Sequence, residues 1–329
     1  MSQCAECGRE RATAKCSRCK SVCYCNRECQ LTAWREHKAH CKPPAAAAAM
    51  GGERMVLREV ETARDTTRAA PDPKTFPAQL RDFEYGSSPD GVDENLLVLL
   101  HGSGGTHKDF ATFARRLELP QTAFLALTGP IKLPEALAIG SLWFQIFDET
   151  DFCLLTPGDK KRAETLESTK TLLEEMIQAL CSHCGWQRSK IFLFGYADGG
   201  TTVLNFAVNS CGPARLGGAI SISGSMLGEY LPAGGRPPWE ECKKDCTPVL
   251  ITYGTRAPEA DQKDIIRTKR VFDSCHRNPR AQLVGVDKRG EMVSKPDEVR
   301  ALHGFFAEHL SRRMVNMESN STLYEVSKS

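Results

Sequence analysis

The chain has 329 residues, of which 41% are hydrophobic and 26% are charged, and its formal net charge is only +2. No apolar run reaches the roughly 20 residues that a membrane-spanning helix needs, so we expect a soluble protein without a membrane span. The aromatic share of 7% is too low for a base-stacking platform, which argues against a nucleic-acid partner. The first residues do not form a secretory signal, so we expect the cysteines to be reduced.

Eight metal-binding side chains crowd the first 41 positions of the chain. They follow the spacing C-x2-C-x8-C-x2-C-x5-C-x3-C-x7-H-x3-C and are Cys4, Cys7, Cys16, Cys19, Cys25, Cys29, His37 and Cys41. Eight such ligands make two tetrahedral zinc sites. A segment of about 40 residues cannot fold on buried apolar surface alone, so we expect zinc to supply folding free energy on the order of 10–16 kcal/mol per ion.

Two other interpretations of this segment are open. Dense cysteines often form a disulfide scaffold, but here a histidine closes the pattern and the other cysteines show no evident pairing. Residues 1–42 also carry nine Lys and Arg against four Asp and Glu, an excess that suits nucleic-acid binding. Because these charges are scattered among the ligands, a solvated surface or an acidic partner explains them more simply.

The residues between the ligands are as characteristic as the spacing. The segment Tyr24-Cys25-x3-Cys29-Gln30-x3-Trp34-x2-His37-Lys38-x2-Cys41 closely resembles the MYND-type zinc finger. The resemblance implies interleaved ligands, with one zinc on Cys4, Cys7, Cys25 and Cys29 and the other on Cys16, Cys19, His37 and Cys41. It leaves Cys23 as a spare thiol. It also implies a protein partner that docks through a short proline-containing peptide.

Composition divides the chain into four parts. Residues 1–42 form the finger, and residues 43–80 are interpreted as a linker because prolines, five alanines and paired glycines open this stretch. Its one apolar stretch, Met55-Val56-Leu57, either stays loose or adds an edge strand to the second domain. That domain comprises residues 81–312, and residues 313–329 form a polar, flexible tail.

From Asn95 onward, short apolar runs alternate with longer helical patterns. The predicted strands are Leu96–Leu100, Ala123–Leu127, Lys190–Phe194, Gly218–Ile222, Val249–Thr252 and Ala281–Val286. The predicted helices lie near 107–118, 161–183, 199–209, 260–275 and 296–312. Continuous hydrophobic strands that are separated by helices indicate a parallel sheet covered on both faces, so the predicted fold class is α/β.

Several local sequences of this domain lie where an α/β-hydrolase would use them. His101-Gly102-Ser103-Gly104-Gly105 comes directly after the first strong strand, where such folds place a loop that donates one oxyanion-hole N–H. Residues 191–200 have the pattern of a strand, a tight turn flanked by glycines and a helix, which is the arrangement of a nucleophile elbow. Together with Leu142-Trp143-Phe144, Ile222-Ser223-Gly224 and Tyr253-Gly254-Thr255, this ordered set resembles the phospholipase/carboxylesterase family that includes the acyl-protein thioesterases. The alternative is some other α/β fold.

The resemblance also implies where a catalytic triad should be. Ala197 stands at the centre of the elbow, where the family has serine, and Ala257 stands at the position of the acid. Glu291 occupies the position of the base, in a loop that contains no histidine. Alanine has no Oγ, so no acyl-enzyme can form at the elbow. Asp198 adds a carboxylate beside the oxyanion loop at Ser103, where it would oppose developing negative charge.

We therefore expect a zinc-binding adaptor protein, cytoplasmic or nuclear, with a non-catalytic hydrolase-like domain. That domain either binds an acyl or ester ligand or serves as a rigid platform for interactions. The alternative is an active carboxylesterase or acyl-thioesterase that the finger targets to its substrates. Its relocated catalytic residues would come from Ser103, Ser223, Ser225, Asp261, Asp287 and His101. A third hypothesis is transcriptional regulation through the finger, which would need a nuclear address that the sequence does not show.

Two further cysteine pairs have spacings that resemble half of a metal site. They are Cys181 with Cys184, and Cys242 with Cys246. Neither pair has the partners to complete four ligands on its own. We interpret both as ordinary thiols and expect no third zinc site.

Overall fold

The computed structural model describes residues 2–10, 12–42, 55–59, 68–133, 140–148, 150–151, 153–231, 245–275, 281–313 and 324–328. Two compact units are present, one formed by Met1–Thr62 with Asn316–Ser329 and the other by Ala63–Val315. Residues 43–54 and 60–67 of the predicted linker lie outside the described residues, so that part stays a prediction. Residues 68–80 are described, and Phe76 and Leu80 are buried in the core of the second unit. This part of the predicted linker therefore packs with the second domain, which begins before residue 81.

The finger is built from very short elements. In chain order these are strands β1 (Ala14–Lys15) and β2 (Cys23–Tyr24) and helices α1 (Arg27–Thr32) and α2 (Trp34–His40). The two strands pair antiparallel, and the Asn26 side chain caps α1 by accepting a hydrogen bond from the Cys29 N–H at 3.0 Å. Elements of this length do not persist alone. The side chains that they bring together must therefore hold them in place.

A second small sheet joins two distant parts of the chain. Strand β3 (Met55–Glu59) pairs antiparallel with the last strand, β13 (Tyr324–Lys328). The prediction of a flexible tail over 313–329 is therefore wrong for these five residues, and β3 does not join the sheet of the second domain. The composition of the tail is polar, but Tyr324 and Val326 alternate with polar residues, which suits a strand whose backbone is paired on one side.

The second unit is organised around one sheet. Its strands are β4 (Phe83–Gly86), β5 (Asn95–Leu100), β6 (Thr122–Leu127), β9 (Ile191–Tyr196), β10 (Gly218–Ile222), β11 (Val249–Gly254) and β12 (Gln282–Val286), while β7 (Ile131–Lys132) and β8 (Ser141–Leu142) pair separately. Among the described residues, these seven strands lie in the order β12-β11-β10-β9-β5-β6-β4. All of the pairings are parallel except that of β4 with β6. The predicted α/β fold is confirmed.

The helices lie between the strands as predicted, with bounds within about three residues of the expected ones. They are α3 (His107–Leu117), α4 (Lys160–Cys184), α5 (Asp198–Ala207), α6 (Glu259–Cys275) and α7 (Pro296–His309). Helix α4 begins after Asp159, whose side chain accepts a hydrogen bond from the Lys161 N–H, and ends at Gly185 with φ +71°. No helix in the described part of the chain is long and apolar enough to cross a bilayer.

The core lies on both faces of the sheet. Every residue of β5 is buried, and alternate residues belong to different clusters: Val98 packs with one and Leu97 with the other. Since successive side chains of a strand point to opposite faces, the two clusters are the two covered faces. This double burial explains why the strands appear in the sequence as continuous apolar runs.

Strand β4 was not predicted from the sequence. Its four residues are all half-buried. Phe83 and Tyr85 alternate with Glu84 and Gly86, but four residues are the shortest run in which alternation indicates a strand. The strand pairs antiparallel at the sheet edge, where Phe83 lies opposite Leu127. Gly86 permits a close approach there, because a Cβ at this position would lie 2.3 Å from the Phe124 ring.

Candidate functional site

One group of metal-binding atoms contains four sulfurs. Cys4, Cys7, Cys25 and Cys29 place their ligand atoms within 4.8 Å of one another. The Sγ atom of Cys7 lies 3.5 Å from that of Cys25 and 3.9 Å from that of Cys29. A zinc–sulfur bond of about 2.3 Å gives a tetrahedron with edges of about 3.8 Å, so these separations fit one zinc ion.

The other group contains three sulfurs and one imidazole. Cys16, Cys19, His37 and Cys41 also lie within 4.8 Å of one another. The Sγ atoms of Cys16 and Cys41 are 3.8 Å apart, and His37 offers Nε2 at 3.5 Å from the Sγ of Cys19. The interleaved ligand sets therefore come together as the resemblance implied. No further cluster of this kind occurs among the described residues. Cys242 lies outside the described residues.

Aromatic rings enclose the second group. Tyr24 is fully buried and packs edge-on against the His37 ring at 6.1 Å, and Trp34 packs at 5.9 Å. Four protein ligands complete each tetrahedron and leave no position for water or substrate, as in structural zinc sites. Cys23 belongs to neither group. The two zinc ions therefore serve the fold of the finger.

The second candidate site is the turn between β9 and α5. Ala197 occupies this turn with φ +47° and ψ −116°, a conformation that costs a residue with a side chain on the order of 1–3 kcal/mol. Its N–H donates to the Ile222 carbonyl at 2.9 Å. A Cβ at Gly195 would lie 2.2 Å from the Gly199 carbonyl oxygen, and one at Gly199 would lie 2.4 Å from that of His101. The backbone thus has the sharp, glycine-flanked shape of a nucleophile elbow.

Asp198 places a carboxylate beside this turn. It is the first residue of α5, and its Oδ2 accepts a hydrogen bond from the Ser103 hydroxyl. Burial raises the pKa of Asp198 to about 6, against the opposing effect of the Arg162 guanidinium. The hydrogen bond between Ser103 and Asp198 therefore joins the loop after β5 to the start of α5. That loop is the one predicted to donate an oxyanion-hole N–H, and an oxyanion hole needs hydrogen-bond donors rather than a carboxylate.

Ala257 and Glu291 are the residues predicted to stand at the positions of the acid and the base. Ala257 lies in the turn after β11, and its carbonyl accepts a hydrogen bond from the Gln262 side chain at 2.7 Å. Glu291 lies in the loop between β12 and α7 and is exposed. Its carboxylate accepts a hydrogen bond from the Arg289 N–H at 2.7 Å. The Glu291 carboxylate also interacts electrostatically with Arg256, in the turn after β11, and with Tyr196.

A buried ion pair, which was not predicted from the sequence, holds this loop. Lys288 and Glu298 are 1% and 0% exposed, and their charged atoms lie 2.7 Å apart. Lys288 Nζ also donates to the Glu291 carbonyl at 2.6 Å, and Thr252 donates to Glu298 at 2.5 Å. Charged residues near a helix start usually face solvent, so no sequence signal marked this pair.

Tyr196 ties the same loop to the elbow. Its hydroxyl donates to the Gly290 carbonyl at 2.9 Å, and burial raises the pKa of Tyr196. The phenol is the side chain next to Ala197, so it spans from the elbow to the loop that would hold a catalytic base. The loop is therefore held by the buried Lys288–Glu298 pair and by the exposed hydrogen bond from Tyr196 to Gly290.

His101 is fully engaged by its surroundings. Its Nε2 accepts hydrogen bonds from the Gly129 N–H and the Ser141 hydroxyl, each at 3.0 Å. Its Nδ1 must then carry the proton, which it donates to the Gly102 carbonyl at 2.6 Å. Burial lowers the pKa of His101. A neutral imidazole with both nitrogens occupied is suited to a structural role.

The other candidates for relocated catalysis are dispersed. Asp261 lies exposed on α6, and Asp287 forms an ion pair with Arg256 at 2.9 Å. Ser223 comes directly after β10 with φ +57°, and its buried hydroxyl has no hydrogen-bond partner among the described residues. Ser225 lies two residues beyond it and is half-buried. Of this set, Ser223 lies near the elbow, because its neighbour Ile222 bonds to the Ala197 N–H.

The fold and the elbow are those of an α/β-hydrolase, and comparison with known proteins identifies the family. Residues 87–293, more than half of the chain, match the phospholipase/carboxylesterase family. The chain belongs to that family. Residues 4–41 match the MYND finger, so both resemblances seen in the sequence are confirmed.

Two curated relatives are described as uncharacterized hydrolases. The chain is 32% identical over 149 residues to an uncharacterized hydrolase of Mycosarcoma maydis, covering 44% of this chain and 54% of the relative. It is 29% identical over 137 residues to an uncharacterized hydrolase of Schizosaccharomyces pombe, covering 40% and 54%. The chain thus spans about half the length of these relatives.

Solved structures of esterases share the fold. Esterase PE8 has a TM-score of 0.53 at 20% identity, and acyl-protein thioesterase 2 of Zea mays has a TM-score of 0.52 at 14% identity. Each comparison covers 70% of this chain and 99% of the other. At such identities the likeness shows the fold alone.

We predict that Cys25→Ser lowers the zinc content of the purified protein from about two ions per chain to about one or fewer. The reason is that a serine hydroxyl replaces one of four thiolates at a closed site. Cys23→Ser, two positions away but outside both groups, is the matched control and should keep both ions. Elemental analysis of the two variants checks this. Equal zinc content in both would contradict the assigned ligand sets.

We also predict that Asp198→Asn stabilises the protein above pH 6. The pKa of Asp198 is about 6 in the folded chain and about 3.9 when unfolded. Because this pKa is raised in the folded state, the protein loses stability as the pH rises from about 4 to 6. The variant should gain on the order of 1–2 kcal/mol at pH 7.5 and nothing near pH 4.

Urea unfolding at the two pH values measures this gain. Asp109→Asn is the matched control, since Asp109 is an exposed carboxylate in the first turn of another helix, α3. The control should show no comparable pH-dependent gain. If Asp198→Asn and the wild type are equally stable at pH 7.5, the folded structure does not disfavour the charged carboxylate of Asp198.

Proposed function

We propose that this protein is a zinc-dependent interaction protein whose hydrolase domain does not hydrolyse esters. The main support is that Ala197 has the backbone conformation of a nucleophile elbow but no side-chain atom that can attack a carbonyl. The acid position, Ala257, has no ionisable group. The described loop between β12 and α7 has no histidine. The fold is therefore retained while the groups that perform acyl transfer are replaced.

The size of the expected loss supports this proposal. In a well-studied serine protease, removal of the serine alone costs about a million-fold in turnover, and the oxyanion hole with binding retains only about 10³–10⁴ over water. Here even that remainder is opposed, because the Asp198 carboxylate bonds to Ser103. An anion at this point repels the negative charge of a tetrahedral intermediate. An acyl or ester ligand could still bind without turnover.

The finger supports the interaction half of the proposal. MYND modules dock protein partners, and we propose a short proline-containing peptide as the ligand of this one, in the cytoplasm or the nucleus. A rigid, zinc-held surface favours such docking because little ordering entropy is lost on binding. Nucleic acid is the less favoured ligand, since the basic residues are scattered along residues 1–42.

An active ester or thioester hydrolase is the second candidate function. It is favoured by the description of the curated relatives as hydrolases and by one feature of the site. Ser223 has a left-handed backbone and a buried hydroxyl without a hydrogen-bond partner among the described residues, as a poised nucleophile can have. Among the described residues, no acid or base forms a hydrogen bond with the Ser223 hydroxyl.

Restoring the nucleophile tests the proposal. We predict that Ala197→Ser hydrolyses a medium-chain acyl thioester no faster than the wild type, because the new Oγ has no base to take its proton. The measurement is release of free thiol by zinc-loaded protein. Turnover that appears with Ala197→Ser would reveal an intact acid and base. Wild-type turnover that Ser223→Ala abolishes would instead establish the second function.

Peptide titration tests the docking role. We predict saturable binding of some proline-containing peptides to the zinc-loaded full chain, measured by calorimetry or fluorescence anisotropy. The Cys25→Ser variant should lose this binding because the docking surface depends on zinc, and Cys23→Ser should retain it. Binding that is equal in all three proteins would place the peptide site outside the finger.

A further inference from the structure

A cysteine pair lies beside the amino ends of the parallel strands, at the opposite end of the sheet from the elbow. Cys211 comes after α5, and Cys246 lies three positions before β11. Both are therefore near the amino ends of parallel strands, whereas Ala197 lies at a carboxyl end. The two cysteines face each other across an isolated antiparallel bridge, although 35 positions separate them in the sequence.

The hydrogen bonds around the bridge define its geometry. The residues that flank the cysteines exchange two backbone bonds of 3.1 Å, from Gly212 N–H to the Asp245 carbonyl and from Thr247 N–H to the Ser210 carbonyl. This pattern makes the cysteines a non-hydrogen-bonded antiparallel pair, in which Cα atoms lie about 4.5 Å apart and side chains are close. Disulfides join Cα atoms about 4.4–6.8 Å apart. A bond between the two sulfurs therefore needs little backbone movement.

Buried contacts fix the register of the two segments. The Thr247 hydroxyl donates to the Ser210 carbonyl at 2.6 Å and accepts from the Leu216 N–H at 2.9 Å. Thr247 and Ser210 are 0% and 3% exposed, so water does not compete for these bonds. A slip of one residue would turn one cysteine to the other side of its segment. The packing thus holds the pair in facing positions.

We propose that Cys211 and Cys246 are a redox modification site that forms a reversible intramolecular disulfide with a small disulfide of the glutathione class. The Cys211 thiolate is the half-buried partner and attacks one sulfur of the small disulfide, which releases one small thiol and forms a mixed disulfide. The buried Cys246 thiolate then attacks the Cys211 sulfur and releases the second small thiol. Two protein thiols are oxidised, one small disulfide is reduced to two thiols, and the two protons leave with them.

The test maps disulfides in the zinc-loaded wild-type chain. The protein is incubated with oxidised glutathione, remaining thiols are alkylated, and the chain is digested with trypsin. Cys211 lies alone in the peptide 191–215, and Cys246 lies alone in 245–256. We expect these two peptides to be joined in most chains and to separate on reduction. Recovery of both as alkylated peptides, or of Cys246 joined to another cysteine, would overturn the proposal.

Substitutions separate the two steps. In Cys246→Ser the second step is blocked, so Cys211 should remain as a stable mixed disulfide with glutathione. Cys153→Ser, which removes an exposed thiol elsewhere, is the control and should still form the cross-link. The same reaction in urea is the control for folding, and selective joining of these peptides should be lost there. Glutathione retained on Cys211 equally in the wild type and in Cys246→Ser would contradict the proposal.

Discussion

The hydrolase-like domain depends on the contact of two backbones at the turn between β9 and α5. Side chains at Gly195 or Gly199 would collide with carbonyl oxygens 2.2–2.4 Å away, so the helix can begin so close to the strand ends only where Cβ atoms are absent. Ala197 takes a left-handed conformation because the chain reverses at this residue. The residues of α5 from Gly199 onward are all buried. The packing of the central strands therefore requires this turn.

The described contacts that form the turn do not need a hydroxyl on the side chain of residue 197. It is held by the hydrogen bond from the Ala197 N–H to the Ile222 carbonyl and by the small size of its glycines. His101 likewise supports the neighbouring loop through bonds to Gly129 and Ser141. Catalysis would need other atoms: a nucleophile, a base and an acid. Because fold and chemistry rest on different atoms of the same motif, one can persist when the other is lost.

Much of this organisation could be predicted from the sequence, because it leaves periodic signals. Strands buried on both faces appear as apolar runs, and zinc ligands appear as fixed spacings. Strand β4 has only four residues, and the pairing of β3 with β13 joins segments that are far apart in the sequence, so neither was predicted. The ion pair of Lys288 with Glu298 and the facing cysteines Cys211 and Cys246 also escaped. These contacts join residues that only the tertiary fold brings together.

On this view the hydrolase domain carries no activated nucleophile. The most direct test is the intact mass of the zinc-loaded wild-type protein after incubation with a reactive fluorophosphonate, which forms a covalent adduct with activated serines. The structure predicts an unchanged mass, because Ala197 has no Oγ and His101 has no free nitrogen to act as a base. A stoichiometric adduct that maps to a single serine would contradict this claim and establish a relocated nucleophile.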